Sequence, residues 1–239
     1  MIGSREQRLQ PRVLHSEKGW PYDVFEELEE RDCYVTREIV RVWKIVENDI
    51  ENWLVQNAAG VRATLRLLIG TPGIGKSMGA GSYLLYQLLH YDKKRRPVVA
   101  YIVADYVYLF DKTRGEGQGR VEYYDNLEGG VSAVVDLSLT VRGYIIYDVA
   151  KQRSEPHHAL PPSTWGMILL SSPNEVNFKG WGKRQKTLRI IIDCPKKSKL
   201  KAMCVGIHRD KPEEDQQTEW KVVEERINNA VQLPRHIFW

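Results

Sequence analysis

A chain of 239 residues, 42% hydrophobic and 28% charged, has the composition of a globular protein and room for one large α/β domain or two small ones. Its 35 basic and 31 acidic residues leave a net charge of +4, which permits nucleic-acid contact without arguing for it. Three widely spaced cysteines (Cys33, Cys194, Cys204) and six histidines form neither a disulfide framework nor a zinc pattern, and no apolar run approaches the about 18 residues of a membrane span. The polar start, Met1 to Glu6, lacks a secretory core, so an intracellular protein, nuclear or cytoplasmic, is expected.

Residues 1–21 are polar and read as a tail or linker, and residues 22–59 as an N-terminal helical extension. Within it Ile39, Val42, Trp43, Val46, Ile50, Trp53 and Leu54 recur at three- and four-residue spacing, which predicts a helix over Thr36–Asn57 capped by Thr36. Its two tryptophans are expected to pack rather than to stack on bases. Residues 60–239 read as the core. Ala63–Ile69 predicts a buried strand and Ser77–His90 a helix, its first turns weakened by Gly79 and Gly81 by about 1 kcal/mol each relative to Ala.

Between that strand and helix stands Gly70-Thr71-Pro72-Gly73-Ile74-Gly75-Lys76-Ser77, which fits the G-x-x-x-x-G-K-[ST] pattern of a phosphate-binding loop. Glycines let the backbone wrap an anion where a Cβ would block the approach, and the freed N–H groups and the helix N-terminus face the phosphates. Lys76 is the residue to reach the β- and γ-phosphates, and Ser77 the one to hold Mg²⁺.

Lys93-Lys94-Arg95-Arg96 reads as a solvated charged turn, and Pro97–Asp105 as a second strand buried on both faces. Tyr106–Phe110 and Val121–Tyr124 are short apolar runs around a glycine-rich turn, Gly115–Gly119. A helix is expected over Leu127–Val141. Gly143–Asp148 is an apolar strand ending in Asp; set parallel to the first strand, it carries Asp148 beside the loop, as a candidate catalytic and metal-binding carboxylate. His157-His158 reads as a solvated pair. Gly166–Ser171 predicts a further strand, leading into Ser172-Pro173-Asn174-Glu175. Asn174 is the candidate to touch a γ-phosphate or orient water, against the alternative of an Asn in a Pro turn. Leu188–Asp193 predicts a fifth strand, with helices over Ser198–His208 and Thr218–Val231. The alternation predicts an α/β fold: a doubly wound, mostly parallel sheet of about five strands with flanking helices and a ligand at the carboxyl ends of the strands.

The stretches Gly70–Met78 with Gly81–Asp92, Gly143–Ala150, Trp165–Ile168, Ser171–Asn174 with Asn177–Trp181, and Lys201–Cys204 closely resemble the retrotransposon hot spot family of trypanosomes, as do Asp23–Trp53 and Leu233–Phe238. The resemblance covers nearly the whole chain from Lys18 onward. It implies a P-loop NTPase core in a large, multicopy, subtelomere-associated family with nuclear or cytoplasmic members, and ATP rather than GTP as the nucleotide. Members of the family are usually longer on both sides, so the resemblance implies a C-terminally truncated copy. Gly79 stands where a larger helix former would be expected.

Hydrolysis needs a base or water-orienting residue. Many P-loop ATPases place Glu directly after the strand Asp; here Val149 follows Asp148. Glu175 and Asp105 are the substitutes, and Arg209 or Arg235 could supply a transition-state cation. Three readings stand at this point: a Mg²⁺-dependent ATPase, a non-hydrolysing nucleotide-dependent interaction module, and an inactive truncated copy. A protein or nucleic-acid partner is compatible with all three, and no recognition motif identifies one.

Overall fold

The computed structural model describes residues 12–21, 31–55, 61–115, 119–149, 155–229 and 233–238. A short antiparallel hairpin comes first, β1 (Arg12–His15) paired with β2 (Asp32–Val35). The expected polar tail therefore includes a strand. Leu14 packs on the main core, and the His15 ring lies 2.7 Å from a carboxylate oxygen of Asp32. Helix α1 (Arg37–Val55) follows, with the Thr36 hydroxyl accepting from the Ile39 N–H. Its buried stripe is Ile39, Val42, Trp43, Val46, Ile50 and Trp53, so both tryptophans pack.

Among the described residues the central sheet has seven strands: β3 (Arg66–Ile69), β4 (Val98–Val103), β5 (Tyr106–Asp111), β6 (Arg120–Tyr124), β7 (Gly143–Asp148), β8 (Trp165–Ser171) and β9 (Leu188–Ile191). They lie in the order β6-β5-β4-β7-β8-β3-β9. The five expected strands are the parallel ones. The two short apolar runs add an antiparallel edge, β4–β5–β6. In β6, at the edge, the exposed Arg120, Val121 and Tyr123 break the apolar pattern, because an edge is half solvated.

The alternating side chains of the parallel strands feed two cores. Leu68, Val99, Tyr101, Tyr144, Ile146, Ile168 and Leu170 meet α1 and α2 (Ser82–His90) on one face. Leu67, Val98, Ile145, Met167 and Leu169 meet α3 (Leu127–Ser138) and Trp181 of α4 (Lys179–Gln185) on the other. Asn126 caps α3 by accepting from the Gly129 N–H at 2.7 Å. At the end of α2, the Lys112 ammonium donates to the carbonyls of Leu88 and Tyr91, which suits the negative end of a helix.

The C-terminal helices are α5 (Lys197–Ile207), α6 (Glu213–Asn229) and α7 (Pro234–Phe238). They share a separate small core of Leu200, Cys204, Val223, Ile227 and Ile237. Helix α6 starts five residues before the expected Thr218, and Val231 lies outside the described residues. No helix among the described residues is long and apolar enough to cross a membrane.

Candidate functional site

The stretch from Gly70 to Ser77 leaves β3 at the carboxyl edge of the sheet. Gly73 and Gly75 have φ of +81° and +93°, a left-handed backbone that glycine adopts without cost. A Cβ on Gly75 would meet nothing within 4 Å, so the loop is open on that side. Gly70 is constrained differently: a Cβ there would run into Ile192, which follows β9. Its N–H donates to the Ser171 carbonyl at 3.3 Å and ties the loop to the end of β8.

The helix expected from Ser77 begins instead with a wider turn. Lys76–Gly81 is π-helical, with the Ala80 N–H donating to the Gly75 carbonyl at 2.9 Å. The sequence explains the widening. A Cβ on Gly79 would sit 2.7 Å from the Ile39 δ-methyl, and one on Gly81 2.6 Å from the Tyr101 hydroxyl. Two glycines let α1 and β4 press into the first turns, at the expense of the α-helical ladder.

Lys76 folds over the loop and donates to the carbonyls of Gly70 at 2.7 Å and Thr71 at 3.0 Å. Burial lowers its pKa, and the nearby Asp148 carboxylate opposes that shift. Asp148 ends β7 and is buried. Strand β8 lies between β7 and β3, so Asp148 is one strand removed from the loop strand. It nevertheless meets the groups that follow the loop. Burial pushes its carboxyl up to about 6, against the Ser77 hydroxyl, the Lys76 charge and the Tyr101 hydroxyl, each of which favours the carboxylate.

Tyr101 escaped the sequence reading. It lies on β4, fully buried, with its hydroxyl 3.4 Å from Asp148 Oδ2. A phenol in an otherwise aliphatic run (Val98, Val99, Ala100, Ile102, Val103) was the available signal, because a buried tyrosine hydroxyl needs a partner.

Asn174 and Glu175 lie elsewhere. Both are exposed on the turn after β8. The Asn174 carboxamide oxygen accepts from the Val176 N–H at 3.2 Å, and Glu175 pairs with Lys179 at 2.5 Å. At that end of β8 the buried Asn177 carboxamide donates to the half-buried Ser172 hydroxyl at 3.2 Å. Asp105 is exposed in the tight turn after β4, two residues beyond Val103, which stands opposite Asp148.

The two candidate arginines also separate. Arg209 pairs with Asp32 at 2.7 Å, which ties the turn after α5 to the N-terminal hairpin. Arg235 reaches the glycine loop: its backbone N–H donates to the Gly73 carbonyl at 3.3 Å, and a Cβ on Gly73 would lie 2.9 Å from the Arg235 Cβ. Helix α7 thus rests on the glycine loop, with Leu233 buried in the main core and Ile237 in the C-terminal one.

No group of three or more His, Cys, Asp or Glu side chains suited to a metal occurs among the described residues. The oxygen donors near Lys76 are the Ser77 hydroxyl and the Asp148 carboxylate. Such hard ligands suit a Mg²⁺ ion that keeps most of its waters and shares a phosphate ligand.

Residues 67–239 match the family model described as retrotransposon hot spot protein, P-loop domain. Residues 3–64 match the one described as retrotransposon hot spot proteins N-terminal. No curated protein matches the chain.

Proposed function

The chain belongs to the retrotransposon hot spot protein family, and from that premise we propose that it binds ATP with Mg²⁺ in a P-loop of the doubly wound NTPase type and hydrolyses it. One observation carries the reading: Asp148 interacts with Ser77 and Lys76, which close a loop whose Gly73 and Gly75 hold left-handed backbone angles. Gly70 to Ser77 supply the phosphate cradle, Lys76 the charge facing the β- and γ-phosphates, and Ser77 and Asp148 the ligands of Mg²⁺. When bound, the metal neutralises charge that develops on the phosphates. Nucleotide binding draws Lys76 off the Gly70 and Thr71 carbonyls and onto the phosphates. Asp105 is the carboxylate to activate water and Arg235 the cation nearest the loop; Glu175 and Asn174, engaged with Lys179 and the Val176 N–H, act on the water only by leaving those contacts. The cell interior, nucleus or cytoplasm, is the compartment that supplies Mg²⁺ and ATP and keeps the exposed Cys194 thiol reduced.

A second reading, a nucleotide-dependent interaction module without turnover, is favoured by Val149 directly after Asp148 and by the engagement of Glu175 with Lys179. One experiment separates the two. The purified chain is titrated with ATP, with and without Mg²⁺, and phosphate release is followed in the same samples. Binding lost in Lys76→Ala, with turnover that falls in Asp105→Asn or Glu175→Gln, establishes the ATPase. Binding without turnover selects the module. No binding by a folded wild-type chain sinks both readings and leaves an inactive family copy.

A further inference from the structure

The single helical turn at α7 joins three parts of the molecule. Leu233, just before it, is buried in the core shared with α1 and α2. Ile237 is buried in the separate core of α5 and α6. The Ile237 N–H donates to the Leu233 carbonyl at 3.2 Å, so both anchors ride on one turn. Between them in the chain, Arg235 lies against the glycine loop. On the far side, Arg226 Nη1 of α6 donates to the Ile237 carbonyl at 2.8 Å.

The contact between α7 and the loop is of a kind that phosphate does not displace. Phosphate oxygens accept hydrogen bonds, so they take up the N–H groups of a loop and leave its carbonyls alone. Helix α7 uses a carbonyl, that of Gly73. The Lys76 ammonium rests on two others, those of Gly70 and Thr71, and a phosphate competes for that ammonium. The loop is thus held from two sides, by Lys76 at its start and by α7 at its middle. An anion removes the first hold and keeps the second. The approach at Gly73 is also close: a Cβ there would lie 2.9, 3.8 and 3.7 Å from the Arg235 Cβ, Cγ and Cδ. With no side chain on Gly73 to yield, a shift of the loop passes directly to α7.

We propose that α7 is a relay: a nucleoside triphosphate bound with Mg²⁺ at the loop tightens α7 against Gly73, and α7 passes that change to α5 and α6. The relay rests on the nucleotide reading of the loop and adds a consequence to it. Once Lys76 turns to the phosphates, bonds from the loop N–H groups to the anion fix the loop. A fixed loop presents the Gly73 carbonyl in one orientation, which lowers the entropy cost of docking α7. The Leu233–Ile237 turn then carries the gain into the C-terminal core through Ile237 and through the Arg226 bond. The helices α5 and α6 become the part of the chain whose stability reports whether the loop is loaded.

The test is hydrogen exchange of the full chain, read by mass spectrometry, in Mg²⁺ alone and in Mg²⁺ with a non-hydrolysable imido analogue of ATP. With the analogue, exchange should slow at the loop, at α7 and over residues 223–229 of α6, by about tenfold at α7. Arg226→Met and Ile237→Ala each cut one link between α7 and α6. Both should keep the response of the loop and lose much of the response of α6, a split that a merely structural role for α7 would not produce. A protected loop with α7 and α6 unchanged overturns the relay and leaves the nucleotide reading standing. A loop that the analogue does not protect overturns both. A full α6 response in the variants overturns the route through α7. If Ile237→Ala does not fold, Arg226→Met, at an exposed position, decides the matter.

Discussion

The two ends of the parallel sheet use charge in opposite ways. At the carboxyl end, Lys76 and Asp148 face each other across Ser77, and the nearby backbone is glycine-rich and open. Lys76 is held by two loop carbonyls, contacts that a competing anion can replace. At the amino end, Arg66, Arg96 and Arg142 are set into packing with Asp49, Trp53 and Tyr144. Side chains there are buried against one another. One end keeps its polar groups exchangeable; the other commits them to the fold. Burial alone does not separate a ligand site from a structural one. What separates them is whether the backbone beside the charge is free to accept a new partner.

That contrast is broken most severely at the amino end. Trp53→Ala removes a buried indole that stacks on Arg96 and donates to the Val61 carbonyl at 3.1 Å. It should cost about 3–5 kcal/mol in denaturant unfolding, while whatever fraction stays folded binds ATP with unchanged affinity. Reduced affinity in the folded fraction would show that the two ends are coupled.

The carboxyl end should respond the other way. Lys76→Ala should weaken Mg·ATP binding by about 100-fold and leave Tm nearly unchanged. Asp148→Asn should do the same to Mg²⁺-dependent binding and should stabilise the ligand-free chain at neutral pH. The sign follows from protonation. The folded Asp148 carboxyl titrates near 6, above its ordinary 3.8, so between those values the native state binds more protons than the unfolded one. Stability of the ligand-free chain therefore falls as pH rises from about 4 to 6 and is level above. With Asp148 as a Mg²⁺ ligand, as proposed, Mg·ATP binding should strengthen over the same window. Calorimetric titration across pH 5 to 8 checks both, and an Asp148→Asn variant that keeps the pH dependence refutes the assignment.

Much of this was legible in the sequence because local chemistry wrote it there. The loop glycines answer to a backbone constraint, α1 to its 3.6-residue stripe, and the parallel strands to burial on both faces. The family, too, showed in contiguous residues. What the sequence hid was set by contacts between distant segments. The π-turn comes from Ile39 and Tyr101 pressing on Gly79 and Gly81, and neither pair is close in the chain. Arg96 looked like one of four solvated cations until Trp53, 43 residues earlier, supplied its face. Strands β5 and β6 read only as short apolar runs, because the edge strand β6 mixes exposed and half-buried residues and the pairing of β5 with β4 and β6 is set by the turns between them. Asn174 drew attention by its place after β8, yet the Pro turn points its carboxamide at its own backbone.

Gly73→Ala probes an intermediate case, a loop position that also touches packing. The φ of +81° strains any L side chain, and the new methyl would lie 2.9 Å from the Arg235 Cβ. ATP affinity should drop about tenfold and Tm by a few degrees, roughly 1 kcal/mol. If affinity falls while Tm holds, the strain is relieved by α7 lifting from the loop. Limited proteolysis near Leu233 would reveal that release.

The smallest effect sharpens the comparison most. Tyr101→Phe keeps the ring in the core and deletes the hydroxyl that points at Asp148. With a donor gone, the carboxylate is less favoured, and the Asp148 pKa rises further. The pH midpoint of Mg·ATP binding should therefore move up by about half a unit, with near wild-type affinity at pH 8 and little change in Tm. A hydroxyl that merely fills space would lower Tm and leave the midpoint fixed. A shifted midpoint at constant Tm would mark Tyr101 as a positioning residue for Asp148. It would also show that the carboxyl end, like the amino end, draws on buried groups of the strand core to hold its charge, and differs in leaving that charge free to meet a ligand.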